Sequence, residues 1–563
     1  MAGDHQVAEV IVQSLLNAGV QYAFGVPGAK IDSIFNVLLD FPHIHLIVCR
    51  HEQNASMMAA AVGRMTGRPG VCLATSGPGA SNLATGLLTA NTEGDPVVAI
   101  VGSVARKMSN HRTHQSLQAL QVLGPTCKSH ASIDVEDQAA EVILGAFRQA
   151  MSLPLGAVVI SLPADVGTGK TKFPAFDPSC FNGPIFGGAS SSQLQEAKSL
   201  IANAKCPVLF LGLRAADPKV VEAVHEFLRL IPMPTVETYQ AAGSISKDLE
   251  HLYYGRVGLF RNQCGDQLLQ RADLVIAIGY DTVEYDADVW NPKGNAQIID
   301  IDYTPADYGF NYQPKVELLG DVVATIDQLR TELQSTNVRN TLLEHAGQNK
   351  NLQDELDGWL KLPQSQRFEG KVHPLTLVRE LQKRISEDTV VCCDVGTSYI
   401  YMMRYFRAYK PRHLLCSNGQ QTLGVALPWS ISASLIQDPP CSRKVIAIAG
   451  DGGFMFSSQE LSTAVLQGCN ITIFIWNDNH FNMVEFQEDM KYGRSSGIQL
   501  GGVDFAKLAE SFGAKGFTVT DASHLCEKID KALAHTGVSL VDIAIDYSEA
   551  HLLAENLVKD ALS

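Results

Sequence analysis

The chain has 563 residues and a formal net charge of −15, from 44 Lys and Arg against 59 Asp and Glu. It is too long for a single hydrophobic core, so about three domains are expected, and the scattered basic residues exclude nucleic-acid binding through a basic face. With 46% hydrophobic and 18% charged residues, the composition is that of an ordinary globular protein.

The 12 cysteines form no Cys-x-x-Cys pair, and Cys49, Cys72 and Cys393 sit in apolar runs, where a thiol behaves as a small hydrophobe. A reducing compartment is expected, with neither a disulfide frame nor structural zinc. The first residues lack the basic and apolar regions of a signal peptide, and no apolar run approaches the ~20 residues that span a bilayer. The expectation is a cytoplasmic protein without a membrane partner.

In chain order, Val7, Val10, Ile11, Leu15 and Ala18 mark one face of a helix that Gly19 stops. Strands are expected at 22–24, 44–49, 70–75, 97–101 and 157–161, with helices from Ile31 and about Asn54. This alternation predicts an α/β unit with a doubly wound, mostly parallel sheet. Residues 174–192, rich in Pro, Gly and Ser, read as a linker. A second α/β unit follows, with a helix at 192–202 and strands at 207–211, 274–278 and 297–301. The polar stretch 330–362 is taken as the next linker. A third unit begins near His373 and has strands at 389–393, 445–449, 471–476 and 540–545. Three doubly wound, mostly parallel-sheet domains are therefore expected, over 1–173, 192–335 and 370–563.

Two acidic residues stand at the ends of apolar runs: Glu52 in Arg50-His51-Glu52, and Asp451 in Gly450-Asp451-Gly452-Gly453. Both fall at the carboxyl edge of an expected parallel sheet, where open α/β sheets bind ligands. Two such edges suggest one cofactor held between two similar domains. Around Asp451, the strand, the glycine turn, a helix over about 458–466, the next strand and Asn477-Asp478-Asn479 form one βαβ crossover. Asp451 and Asp478 then emerge at the same edge. The glycines let backbone N–H groups approach a phosphate, and the following helix terminus adds a favourable dipole. Two carboxylates with nearby carbonyls suit Mg²⁺. Taken singly, a Gly-Asp-Gly is usually a turn and Glu52 a helix-start carboxylate; the second acidic cluster at the next strand end argues against the bare turn.

Five motifs occur in order: Gly25-Val-Pro-Gly-Ala-Lys30, Arg50-His-Glu-Gln-Asn-Ala55, Thr75-Ser-Gly-Pro-Gly-Ala-Ser-Asn82, Gly450-Asp-Gly and Asn477-Asp-Asn479. Over essentially its whole length the chain resembles thiamine diphosphate-dependent enzymes of the acetohydroxyacid synthase group. The stretches from Ser417 to Trp429 and from Thr238 to Gly243 are similar to those of the catabolic acetolactate synthases. The resemblance implies the thiamine diphosphate-binding fold, with a Rossmann-like middle domain. It implies that Glu52 hydrogen-bonds the aminopyrimidine ring and drives the tautomer shift that activates the cofactor. Asp451, Asp478 and the carbonyl of His480 would hold Mg²⁺ on the diphosphate, beside Gly450, Gly452 and Gly453. Thr397 and Ser398 would meet the diphosphate, Leu423 would wedge between the cofactor rings, and the backbone of Gln421 would meet the pyrimidine edge. Gln115 would lie near the reacting carbon, and Lys30 would attract the carboxylate of pyruvate.

The implied reaction joins two pyruvates into 2-acetolactate and CO₂, with 2-ketobutyrate as the other candidate acceptor. Another thiamine diphosphate-dependent 2-keto acid decarboxylase or carboligase is the alternative. Simple decarboxylases of this type carry paired histidines, whereas here His114 is followed by Gln115. Glyoxylate carboligases lack the glutamate that is present here as Glu52. The flavin-binding biosynthetic synthases carry an Arg-Phe-Asp-Asp-Arg stretch where this chain reads Gly279-Tyr-Asp-Thr-Val-Glu-Tyr285, so FAD is not expected. A homodimer or homotetramer with sites between subunits is implied. Two readings from other classes fare worse. A nucleotide-binding P-loop at Gly167-Thr-Gly-Lys-Thr171 fails because Ala164 stands where its first glycine belongs. A scaffold that had lost its chemistry would have lost Glu52 or the metal carboxylates.

Overall fold

The computed structural model describes residues 4–183, 185–259, 262–334, 349–358 and 370–554. Much of the expected linker at 330–362 and the end of the expected third domain lie outside the described residues. Among the described residues there are three six-stranded sheets and a two-stranded antiparallel patch. No described helix is long and apolar enough to cross a membrane.

The first sheet runs His45–Val48, Tyr22–Gly25, Gly70–Ala74, Val97–Ser103, Ala157–Pro163, Ser129–Ser132. Every neighbouring pair in it is parallel. Its inner strands are apolar on both faces because helices cover both, as parallel sheets require. The third sheet runs Leu414–Leu415, Val391–Cys393, Val445–Gly450, Ile471–Asn477, Ser539–Ala544, Lys515–Val519. Numbered along the chain, the strands of both sheets follow the order 2-1-3-4-6-5. The two edges that carry Glu52 and Asp451 therefore belong to sheets of one topology. The middle sheet has the order 3-2-1-4-5-6 and is parallel throughout, the Rossmann arrangement.

By contacts the chain divides into two compact units, one of residues 1–184, 419–443 and 457–471, the other of 185–418, 444–456 and 472–563. Two segments from the last third of the chain thus pack with the first sheet. In this unit the helix Ala426–Leu435 lies against the helix Glu52–Thr66. Ser432 Oγ donates to the Met58 carbonyl at 2.9 Å, and the Arg64 guanidinium lies 4.4 Å over the Trp429 ring. Arg64 is buried and paired with Glu93 and Asp95, so its charge is met on the spot.

Several strands carry no clear apolar run in the sequence: Ser129–Ser132, Thr235–Thr238, Tyr253–Val257, Val316–Leu319, Leu414–Leu415 and Lys515–Val519. All but Thr235–Thr238 lie at sheet edges, where one neighbour is missing and short or polar strands suffice. The helix expected over 458–466 is a 3₁₀ turn, Ser458–Glu460, followed by the short helix Leu461–Leu466. The P-loop reading finds no support in the backbone. Lys170–Thr171 is a strand paired with His5–Gln6, and no helix begins directly after it, the next helical element being the 3₁₀ turn Pro178–Phe181.

Candidate functional site

In an open sheet of order 2-1-3, ligands gather where the chain direction switches, between strands 1 and 3. In the first sheet these are Tyr22–Gly25 and Gly70–Ala74, and the segments leaving them meet. The Lys30 backbone N–H donates to Thr75 Oγ1 at 3.3 Å. A Cβ on Gly28 would come within 2.6 Å of Thr75 Cβ, and one on Gly102 within 2.3 Å of the Lys30 carbonyl oxygen, so both positions need glycine for the approach.

Glu52 is the first residue of the helix Glu52–Thr66, capped by His51, whose Nδ1 accepts from Gln53 N–H at 3.1 Å. The helix starts two residues earlier than its apolar pattern predicts, so Glu52 is part of its first turn. Small residues let it lie close to its neighbours: a Cβ on Gly63 would meet the Pro96 carbonyl oxygen at 2.3 Å. Glu52 is half-buried, and its Oε2 accepts from Asn82 Nδ2 at 3.0 Å. Its Oε1 lies 3.2 Å from where a Cβ on Gly79 would stand.

Gln115 has φ 56, the left-handed region that a glutamine seldom adopts. It sits over Gly77, whose added Cβ would meet Gln115 Cβ at 3.2 Å. Lys30, Gln115 and Glu52, distant in sequence, are thus all brought to the one segment 75–82. Ser76 within it is buried, and its hydroxyl has no hydrogen-bond partner.

Gln421 and Leu423 lie in the same unit on a turn of strained backbone, with φ 49 at Gln421 and 86 at Gly424. The turn is fastened by Thr422 and Thr89, whose hydroxyls lie 2.7 Å apart, and by Gln420 Nε2 donating to Thr92 Oγ1 at 2.9 Å. Gln421 is exposed and Leu423 half-buried, so Leu423 is not an ordinary core leucine.

The second unit holds the other group of residues, again at the switch between strands 1 and 3, here Val391–Cys393 and Val445–Gly450. Asp394 N–H donates to the Ile448 carbonyl at 2.7 Å. Asp451 is buried; its Oδ1 accepts from Gly452 N–H at 2.8 Å and its Oδ2 from Asn479 N–H at 2.7 Å. Asp478 Oδ1 accepts from His480 N–H at 3.2 Å, and His480 Nδ1 lies 2.8 Å from Glu485 Oε2. One donor atom from each of Asp478, His480 and Glu485 fits within a 4.8 Å span. Glu485 is an addition that nothing in the motifs signalled.

Burial, and next the Asp478 charge, push Asp451 up to about 6. Burial also raises Asp478. Two neighbouring carboxylates, one buried and one half-buried, with the Asp478 charge opposing ionisation of Asp451, suit a divalent cation, which reverses that balance. The diphosphate also has room. A Cβ on Gly450 or on Gly396 would meet nothing within 4 Å. Gly452 is constrained differently, because a Cβ there would strike the Phe481 ring at 2.5 Å. Thr397 and Ser398 begin the helix Thr397–Tyr405. Thr397 Oγ1 donates to Asn482 Oδ1 at 2.8 Å, whereas Ser398, 1% exposed, has a hydroxyl without a partner. The residues present therefore fit a metal–diphosphate group. The helix expected to add a dipole, over 458–466, is only a 3₁₀ turn and the six-residue helix Leu461–Leu466, and the helix directly after Gly450, Asp451–Phe454, is too short to align a macrodipole, since Gly452 and Gly453 are poor helix formers.

Comparison with known proteins gives the family. Residues 5–122 match the thiamine pyrophosphate enzyme N-terminal TPP binding domain, residues 194–329 the central domain, and residues 394–543 the C-terminal TPP binding domain. The chain is 42% identical over 558 residues to "Acetolactate synthase" of Bacillus subtilis (strain 168), covering 98% of this chain and 95% of that protein. It is 41% identical over 550 residues to "Acetolactate synthase, catabolic" of Raoultella terrigena, covering 98% and 97%. It is 30% identical over 547 residues to "Acetolactate synthase" of Mycobacterium leprae (strain TN), covering 94% and 85%.

Proposed function

Because the chain belongs to the thiamine pyrophosphate enzymes, in the branch of the acetolactate synthases, we propose that it decarboxylates one pyruvate and joins the remaining two-carbon unit to a second, giving 2-acetolactate and CO₂. The observation that carries this reading is the convergence of Lys30, Gln115 and Glu52 on segment 75–82. 2-Ketobutyrate is the other candidate acceptor.

Thiamine diphosphate, when bound, supplies the electron sink that lets a 2-keto acid lose CO₂ and its remaining carbons act as a nucleophile. The residues do the rest. Glu52 exchanges a proton with the aminopyrimidine, while Asn82 holds its second oxygen still. Lys30 draws the carboxylate of pyruvate towards the turn. Gln115 offers an amide near the reacting carbon but no acidic proton, which favours ligation over protonation and release. Leu423 would be the apolar side chain packed against the cofactor rings, and the Gln421 backbone would meet the pyrimidine edge. Asp451, Asp478 and the His480 carbonyl hold Mg²⁺, which neutralises diphosphate charge. Gly450, Gly452 and Gly453 keep the strand end open, and Thr397 and Ser398 offer hydroxyls to the same group. The buried, unpartnered Ser398 hydroxyl supports that assignment.

The functional division at 1–173, 192–335 and 370–563 assigns the pyrimidine end to the first domain and the diphosphate end to the third. The middle domain serves as scaffold without FAD. Supporting this, Arg214 fills the switch point of the middle sheet, with its NH1 2.6 Å from Asp281 Oδ2 and its NH2 2.7 Å from Asp302 Oδ2. We place complete sites between subunits of a cytoplasmic homodimer or homotetramer. Gas release tests the reaction: ligation frees one CO₂ per two pyruvates consumed, and a release of one per pyruvate would replace ligation by simple decarboxylation.

A further inference from the structure

The turn that presents Glu52 is held from one side by a carboxylate that the cofactor chemistry does not use. Glu460 ends the 3₁₀ turn Ser458–Glu460 and is 0% exposed. Its Oε1 accepts three bonds: from the Arg50 N–H at 2.8 Å, the His51 N–H at 3.1 Å and Asn54 Nδ2 at 3.1 Å. Its Oε2 accepts from Thr463 Oγ1 at 2.5 Å, which fixes the rotation of the carboxyl group. Next to it, Ser462 Oγ accepts from Arg50 Nε at 3.1 Å. All of these residues belong to the same compact unit.

Three features set this apart from ordinary packing. The donors are the two residues immediately before Glu52 and one in its first helical turn, so the Glu52 backbone is bracketed on both sides. Among the described residues, the partners of Glu460 are all neutral donors. A buried carboxylate met by dipoles alone is a costly way to hold a loop, and bonds to an ionised acceptor are the strong and directional ones. Finally, the bracket holds the backbone around Glu52 while a separate bond, from Asn82 Nδ2 to Oε2 at 3.0 Å, holds its carboxylate.

We infer that Glu460 is a positioning residue: it sets the Arg50-His51-Glu52 turn at the geometry that proton exchange with the aminopyrimidine requires. This rests on the reading of Glu52 given above. Glu460 touches neither substrate nor cofactor and acts through the turn. Small displacements at such a position lower turnover steeply without altering the affinity for substrate.

The test uses the full-length enzyme with thiamine diphosphate and Mg²⁺, and compares Glu460→Gln, Glu460→Ala and Glu52→Gln. Glu460→Gln keeps the shape and one acceptor oxygen but removes the charge, so it is the variant expected to fold. Three quantities are read: kcat and KM for pyruvate, the exchange rate of the cofactor C2 proton by quenched NMR, and amide hydrogen exchange over 50–55 in cofactor-free protein. In Glu460→Gln, kcat and C2 exchange fall together by about tenfold, KM stays within about twofold, and amide exchange rises over 50–55 alone. Glu460→Ala loses about a hundredfold in both rates per folded molecule. Wild-type C2 exchange in Glu460→Gln, or a loss in Glu460→Ala that only follows the folded fraction, overturns the inference. Glu52→Gln separates the two claims. If it abolishes C2 exchange while Glu460→Gln leaves that exchange at the wild-type rate, only the role of Glu460 fails. If Glu52→Gln leaves C2 exchange intact, the reading of Glu52 fails and Glu460 falls with it.

Discussion

Asn82 donates its side-chain amide to Glu52 Oε2 at 3.0 Å, across 30 residues of sequence. The bond joins the first turn of one helix to the last residue of the short helix Pro78–Asn82. It aims one carboxylate oxygen while the other stays available. Replacing Glu52 by Gln keeps this bond possible and removes the exchangeable proton. Turnover should fall by ~10²–10⁴-fold, with Mg²⁺–cofactor binding still measurable by calorimetry. Asn82→Ala should cost less, about tenfold in kcat, because it loosens the carboxylate without removing it.

Leu423 gives a different signature. It is half-buried on a turn with positive φ at Gln421 and Gly424, so truncation leaves little cavity. Leu423→Ala should cost under ~2 kcal/mol of stability, below the range for a fully buried leucine. Its kcat should fall at least about tenfold if the side chain shapes the cofactor rather than the core. Leu423→Met should keep most of the turnover, since it keeps the bulk. Thermal unfolding and steady-state kinetics on the same preparations check both.

Much of the site is legible in the sequence because glycine and acidic motifs at strand ends are local signals. Gly450, Asp451 and Asp478 fall where the strand pattern puts them, and the two inner strands that lead to them are mostly apolar. The edge strands are not legible. Ser129–Ser132 has no apolar alternation, because one neighbour and a short ladder are enough to hold it. Asn82 and Glu460 were missed for another reason. Each acts by a side-chain bond to a residue 30 or about four hundred positions away, and no periodicity in a single sequence records such a pairing. The left-handed backbone of Gln115 and Gln421 is likewise invisible, since neither is a glycine or an asparagine.

The middle domain predicts a pH dependence of stability. Glu284 is buried and pushed up to about 8, chiefly by loss of solvation, against hydrogen bonds from Thr238 Oγ1 and the Leu213 N–H. Its folded-state pKa lies above the ordinary carboxyl value of about 4.5. Between the two the folded protein holds a proton that the unfolded chain has released, so stability falls as pH rises through this window. Glu284→Gln, which mimics the protonated form, should make the slope of unfolding free energy less negative by up to ~1.4 kcal/mol per pH unit. Urea denaturation at several pH values between 5 and 8 measures it. An unchanged slope would mean that Glu284 ionises in the folded state as it does in the unfolded one.

The proposed assembly can be tested by complementation. If complete sites form between subunits, Glu52→Gln and Asp451→Asn damage different partners of each site. Mixed with subunit exchange, two inactive proteins should recover about a quarter of wild-type activity, because half of the dimers then carry one intact site of two. No recovery after demonstrated exchange would place both residues of a site in one subunit.

The central claim is the joining of two pyruvates, and the bond itself can be seen. Purified enzyme with Mg²⁺ and thiamine diphosphate, without flavin, is given pyruvate labelled with ¹³C at its keto carbon, and the products are followed by NMR. Ligation makes a product with two adjacent labelled carbons, which split each other's signals, and leaves the released CO₂ unlabelled. If instead the label appears only in acetaldehyde, with no coupled pair, the enzyme protonates the two-carbon unit and the carboligase account is wrong.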